Sequence, residues 1–122
     1  QWRRVKYSYM DVRREANRLG LTIRGTRKIW DSSLAGIGLL YAKRHDVLRA
    51  YNDEVFERFW KHDLDIEQPA ALADILQRAG ADGAGFEAFL QGEGRTALKA
   101  VQDEAEAKGV FGVPSFLLPD GA

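Results

Sequence analysis

Only one stretch of this chain reads as a strong β-strand, and a proline sits in the middle of it. The stretch is GVFGVPSFLLPDGA, residues 109–122 of a 122-residue sequence. Val110, Phe111, Val113, Phe116 and Leu117 suit a strand. Pro114 has no N–H to give to a ladder, which confines such a residue to a sheet edge or a bulge. Pro119-Asp120-Gly121 then reads as a tight turn. The competing strand candidate, LTIRG at 21–25, is short and followed by basic residues. One edge-type strand with nothing to pair with builds no sheet, so the chain is constrained to be mainly α. An exposed lone apolar strand is also an aggregation hazard. The expectation is therefore a piece of a longer chain whose sheet lies before residue 1, after residue 122, or both, and a start at Gln1 instead of Met points the same way.

The rest of the chain is written in helical periods. Val5, Tyr9, Val12, Ala16 and Leu19 form one apolar stripe, stopped by Gly20. Asp31, Ser32 and Ser33 are all N-capping residues ahead of LAGIGLLYAKR, where Gly36 and Gly38 imply close packing against another backbone. Asp46 is expected to cap a third helix that turns Val55, Phe56, Phe59 and Trp60 inward and leaves Glu54, Glu57 and Arg58 outside. HDLDIEQ reads as a loop. Pro69 opens a fourth helix carrying Leu72, Ile75, Leu76 and Ala79, with Gly80 as its stop. After an ADGAG loop, Phe86, Phe89 and Leu90 mark a short fifth helix. A sixth runs from about Arg95 to Lys108, with Leu98, Val101 and Ala105 inward and Gly109 closing it. Short connections make the helices packing neighbours. The domain organisation expected is a helical bundle over 1–108 followed by the strand and turn over 109–122.

Composition removes several function classes. No apolar run approaches the roughly 18–20 residues that span a bilayer, so no membrane partner is expected. With no cysteine, these residues hold no disulfide framework, thiolate zinc site or cysteine nucleophile. A cysteine-free chain is compatible with the cytoplasm, the location expected here. Net charge is zero, yet residues 1–30 carry nine basic residues against Asp11 and Glu15, a net of +7 that the remaining residues cancel. A basic third attracts anions; a solvated helix face is the plainer reading.

The motifs are mostly mundane. GEGRTA matches G-x-G-x-x-A, but a helix precedes it where a dinucleotide fingerprint needs a strand. DLDIE alternates Asp63, Asp65 and Glu67, but Gln68 stands where a calcium loop needs glycine. His45 and His62 are far apart and belong at helix C-termini. No metal site is expected. Trp30, Trp60, Phe56 and Phe59 are candidates for an aromatic pocket, with core packing the commoner fate. Val113-Pro114 is either an edge feature or a cis bond, a form usually retained for a site; a cis bond turns the Val113 backbone groups outward, toward an extended, peptide-like ligand.

GVFGVPSFLL after a long helix resembles the cis-proline strand of thioredoxin-fold proteins in the DsbA branch, where a helical domain is inserted between the first βαβ unit and the final ββα unit. Residues 1–108 resemble that insertion. VKYSYMDVRREANRLGL and FERFWKHDLDIEQPAALADILQRAGAD resemble segments of the 2-hydroxychromene-2-carboxylate isomerases, relatives of the kappa-class glutathione transferases. The resemblance covers most of the chain.

The resemblance implies glutathione as cofactor, lying along the cis-proline strand with its cysteinyl unit paired to Val113, beside Pro114. Members often carry an asparagine near the start of the second inserted helix; here WDSSLA puts Asp31 or Ser32 in that place. Trp30 and Trp60 would line the substrate pocket. No catalytic residue is expected among these residues, because the serine or C-x-x-C of the fold belongs to its first βαβ unit. The implied function is glutathione-dependent isomerisation or transfer on a small anionic, aromatic-derived carboxylate; the partners expected are that substrate and a second copy of the chain in a homodimer, with no nucleic acid. The alternatives are a DsbA-type thiol–disulfide oxidoreductase with its cysteines upstream of Gln1, and a non-catalytic helical interaction module.

Overall fold

A computed structural model describes residues 1–121. Among these residues it holds six helices: α1 (Trp2–Arg18), α2 (Ser33–Arg44), α3 (Leu48–Trp60), α4 (Pro69–Ala79), α5 (Gly83–Gln91) and α6 (Glu93–Ala107). Five of them end in the same way. A residue with positive φ follows the helix, and the next N–H reaches back to a carbonyl five residues earlier. These bonds are Leu21 N–H to Ala16 O (2.8 Å), then Val47 to Ala42, Asp63 to Arg58, Ala81 to Leu76 and Val110 to Ala105 (each 2.9 Å). Gly20, Gly80 and Gly109 hold the left-handed position after α1, α4 and α6. Asp46 (φ 59°) and His62 (φ 62°) hold it after α2 and α3. Asp46 thus terminates α2 instead of capping α3, whose N-cap is Val47. The two histidines do lie at helix C-termini, His45 as the C-cap of α2 and His62 just past Lys61, the C-cap of α3.

α2 is the centre of the bundle and packs on α3, α4, α5 and α6. Ile37, Leu72, Ile75, Leu76 and Phe86 are completely buried, with Tyr51 and Leu90 at 1 % exposure. A helix with four neighbours must be thin. Gly36 meets the Leu98 side chain, and Gly38 lies against the ring and hydroxyl of Tyr51. The close partner of each glycine is therefore a side chain and not, as expected, a backbone. Tyr51 cannot step aside, because it is buried and its hydroxyl donates to Ala35 O at 2.8 Å. Gly38→Ala gains roughly 1 kcal/mol of helix propensity, but overpacking costs about 1–3 kcal/mol. The rigid neighbour makes the cost win. Urea unfolding should show a net loss, and an unchanged or raised midpoint would contradict this packing.

Several sequence-based expectations need correction. α1 packs on none of the other helices. Only Ala16 of its stripe is buried, while Val5, Val12 and Leu19 are 42 %, 46 % and 62 % exposed. It is held by Tyr9 Oη to Thr26 Oγ1 (3.3 Å) and by Arg13 Nε donating to Ile23 O (3.3 Å). Val101 of α6 is exposed as well. The ADGAG loop is shorter than expected: Asp82 is the N-cap of α5, its Oδ1 accepting from Ala84 N–H at 3.1 Å, and both glycines are helical.

The final segment forms no strand among the described residues. Val110–Leu118 finds no ladder partner, as a lone strand in a helical chain must. Phe111, Val113, Phe116, Leu117 and Leu118 are all exposed. The turn is present, with Gly121 N–H donating to Leu118 O at 2.8 Å. The Val113–Pro114 peptide bond is cis.

Candidate functional site

The connector between α1 and α2 is fixed by the end of α3. Trp60 and Lys61 carry carbonyls that the helix itself cannot satisfy. Arg24 supplies the donors, its backbone N–H reaching Trp60 O at 2.9 Å and its guanidinium reaching Lys61 O at 3.3 Å. Farther along, Glu67 holds the connector from the other side. It pairs with Lys28 and accepts the Asp31 N–H at 3.4 Å. The connector is thereby stretched across α3, and Trp30 is laid against it.

The space enclosed is a cavity of about 550 Å³ between this connector, the first two turns of α2 and the face of α3. Its walls are Trp30, Leu39, Val55, Phe56, Phe59 and Trp60, and its lining is mostly apolar. The Trp30 and Phe59 rings meet edge to face at 5.8 Å and 77°, and Phe59 and Trp60 do the same at 5.0 Å. Phe56, expected to point into the core, is 56 % exposed and instead lies at the cavity. Trp30 and Phe59 also line a neighbouring cavity of about 380 Å³ with Arg27, His62 and Asp63.

Polar groups at the main cavity are few. Lys28 stands over the Trp30 ring at 4.2 Å, a cation–π arrangement. Ser32 lines the cavity from the N-cap of α2 and makes no capping bond. That task falls to Asp31, whose Oδ1 accepts Ser33 N–H at 2.9 Å. The Ser33 hydroxyl, and then its N–H, hold the Asp31 carboxyl below its ordinary value of 3.8. The stabilisation from this cap is present above that value and is lost as the pH falls through the lowered one. The phenol of Tyr51, at the cavity floor, is pushed up by burial and stays a neutral donor.

Of the residues singled out in the sequence, Trp30, Trp60 and Ser32 are brought together at one cavity, with the exposed Asp31 beside Ser32. Val113 and Pro114 line none of the cavities found. Val113 is 94 % exposed, and neither its N–H nor its C=O has a hydrogen-bond partner among the described residues. The acidic run is absorbed into local structure: Asp63 pairs with Arg58 (3.4 Å), Asp65 Oδ1 accepts Glu67 N–H (3.0 Å), and Glu67 holds Lys28. Among the described residues no group of acidic, histidine or cysteine side chains could hold a metal ion. No helix among the described residues is long and apolar enough to cross a membrane. The residue that sequence reasoning missed is Asn52, which brings a carboxamide to the cavity from α3. Its signal was weak: the first of three polar residues, Asn52, Asp53 and Glu54, between the buried Tyr51 and Val55 on a helix otherwise read for its aromatics.

Known proteins place the architecture. The chain is 32 % identical over 94 residues to the uncharacterized protein YwbO of Bacillus subtilis (strain 168), an alignment covering 73 % of this chain and 46 % of that protein. The chain therefore spans about half the length of the curated relative it matches. No solved structure matches it significantly. The family model of the DSBA-like thioredoxin domain matches residues 1–122. An all-helical bundle leading into a cis-proline segment agrees with that match, and the chain belongs to the DSBA-like thioredoxin domain family.

Proposed function

We propose that this chain supplies the substrate pocket and the cofactor-facing proline segment of a glutathione-dependent isomerase or transferase acting on an aromatic-derived carboxylate. The observation that carries the reading is the aromatic-walled cavity with an ammonium at its rim. At about 550 Å³ it falls in the usual range for small-molecule sites. Trp30, Phe59 and Trp60 would hold a flat ring and exclude water, while Lys28, paired with Glu67, would share its positive charge with a carboxylate at the rim. The basic first third of the chain favours an anion in the same sense.

Glutathione fits the other end of the chain in one respect. The solvent-facing N–H and C=O of Val113 are free to pair with an extended peptide backbone. When bound, reduced glutathione supplies a thiolate nucleophile that is regenerated within the turnover, so an isomerisation has no net redox change. A glutathione-dependent reaction suits the cytoplasm.

A second reading, thiol–disulfide exchange on a polypeptide, is favoured by the exposed apolar side chains of Phe111, Val113 and Phe116. It takes its cysteines from outside these 122 residues. Calorimetric titration separates the two. The first reading expects binding of reduced glutathione and of 2-naphthoate, each in the presence of the other. Absence of both, with binding of an extended apolar peptide, would replace it with the second.

A further inference from the structure

We infer that Asn52 is a specificity-determining residue of the aromatic cavity, selecting ring ligands that carry a neutral hydroxyl or carbonyl over those that lack one. This deepens the cavity reading above and rests on it. Asn52 is half-buried on α3 and lines the cavity between the apolar walls set by Val55, Phe56 and Trp30. A carboxamide has two donor hydrogens and a two-lone-pair acceptor. No other side chain or backbone group among the described residues takes any of them.

The neighbouring polar groups are already committed or differently built. The Tyr51 hydroxyl donates to Ala35 O, and the Lys28 ammonium is paired with Glu67. Ser32 is uncommitted but exposed, at the N-cap of α2. Asn52 thus offers an uncommitted, uncharged donor and acceptor among aromatic rings. A ligand that fills the cavity with hydrocarbon alone strips water from this amide and returns nothing, whereas a hydroxyl or carbonyl restores the lost hydrogen bond. The amide therefore discriminates by the penalty it imposes on the wrong ligand as much as by attraction to the right one.

The test compares 2-naphthoate with its hydroxylated analogue, 6-hydroxy-2-naphthoate, and its positional isomer, 3-hydroxy-2-naphthoate, by calorimetry on the 122-residue chain. At least one hydroxylated probe should bind roughly five- to tenfold more tightly than 2-naphthoate. In Asn52→Leu that preference should vanish while 2-naphthoate affinity holds or rises. Asn52→Ala serves the same comparison if Leu lowers the melting temperature. A preference that survives both substitutions overturns the assignment to Asn52 and leaves the cavity reading standing. Loss of 2-naphthoate binding in variants that melt like the parent also overturns it, because the amide would then hold the scaffold and not read the ligand. If the parent chain binds none of the three, the cavity reading falls and this inference falls with it.

Discussion

Phe86→Ala is expected to lower the stability of the chain by about 3–5 kcal/mol, which corresponds to a drop in Tm of roughly 10–20 °C. Phe86 has no exposed surface. Its ring lies 5.6 Å from that of Tyr41, which in turn packs on Phe89 at 5.2 Å and donates to Asp82 O at 2.6 Å. Truncation removes the transfer energy of a whole ring and opens a void whose walls are pinned. The Tyr41 hydroxyl is tethered to the N-cap of α5, and Ile37 of α2 in the same core is held against the buried Gly94 of α6. A site that cannot collapse sits at the upper end of the large-to-small range. Total stability for a domain is commonly about 5–15 kcal/mol, so the variant should be marginal at 37 °C. Val101→Ala is the matched control. Val101 is half exposed on α6 and should cost less than about 1 kcal/mol. If chemical denaturation showed the two variants equally stable, the five-helix core would be wrong.

How much of this was legible in the sequence depends on the range of the physics involved. Gly20, Gly80 and Gly109 were readable as helix stops because the need for positive φ is local and glycine meets it cheaply. Asp46 and His62 do the same work and were not read so. Non-glycine residues adopt that conformation only where packing imposes it, and Asp46 looked like an N-cap because it also precedes a helix. The stripe on α1 was a correct reading of amphipathicity, but periodicity reports that a face is apolar and not what covers it. The same gap explains Phe56 and Val101, which share the helical spacing of buried neighbours yet face the cavity and solvent.

The cavity itself could be read only in fragments. Trp30, Trp60, Phe56 and Phe59 were named together as a pocket and Ser32 apart from them, and nothing in their spacing shows that Arg24 and Glu67 hold the connector across α3 to bring them together. Asn52 emerged only from that packing. The cis-proline segment behaved in the opposite way: local backbone chemistry left Val113-Pro114 open between an edge feature and a cis bond, and the likeness of GVFGVPSFLL to a cis-proline strand pointed to the cis form that the structure holds. The DSBA-like family was legible for the same reason, from the order of helices and the GVP stretch together.

Trp30→Ala should separate binding from folding. Trp30 is part-buried on the connector and lies outside the fully buried core, so its loss should cost only about 1 kcal/mol of stability. Its loss at the cavity should be much larger. The indole forms a wall of both the main and the neighbouring cavity, so truncation merges them and admits water. It removes the edge-to-face contact that orients Phe59. It also removes the ring beneath the Lys28 ammonium, leaving that cation to its surface pair with Glu67. Stacking and cation–π contacts are each worth about 0.5–1.5 kcal/mol beyond the area they bury, so affinity for an aromatic carboxylate such as 2-naphthoate should fall by roughly ten- to a hundredfold. Trp30→Phe should restore part of it, since a smaller ring keeps the wall and the face offered to Lys28. Unchanged affinity in Trp30→Ala would mean that aromatic carboxylates, if they bind at all, bind elsewhere. A loss matched by collapse of the thermal transition would instead make Trp30 a structural residue. The expected pattern is weak binding on a bundle that still melts cooperatively, with Trp30→Phe in between.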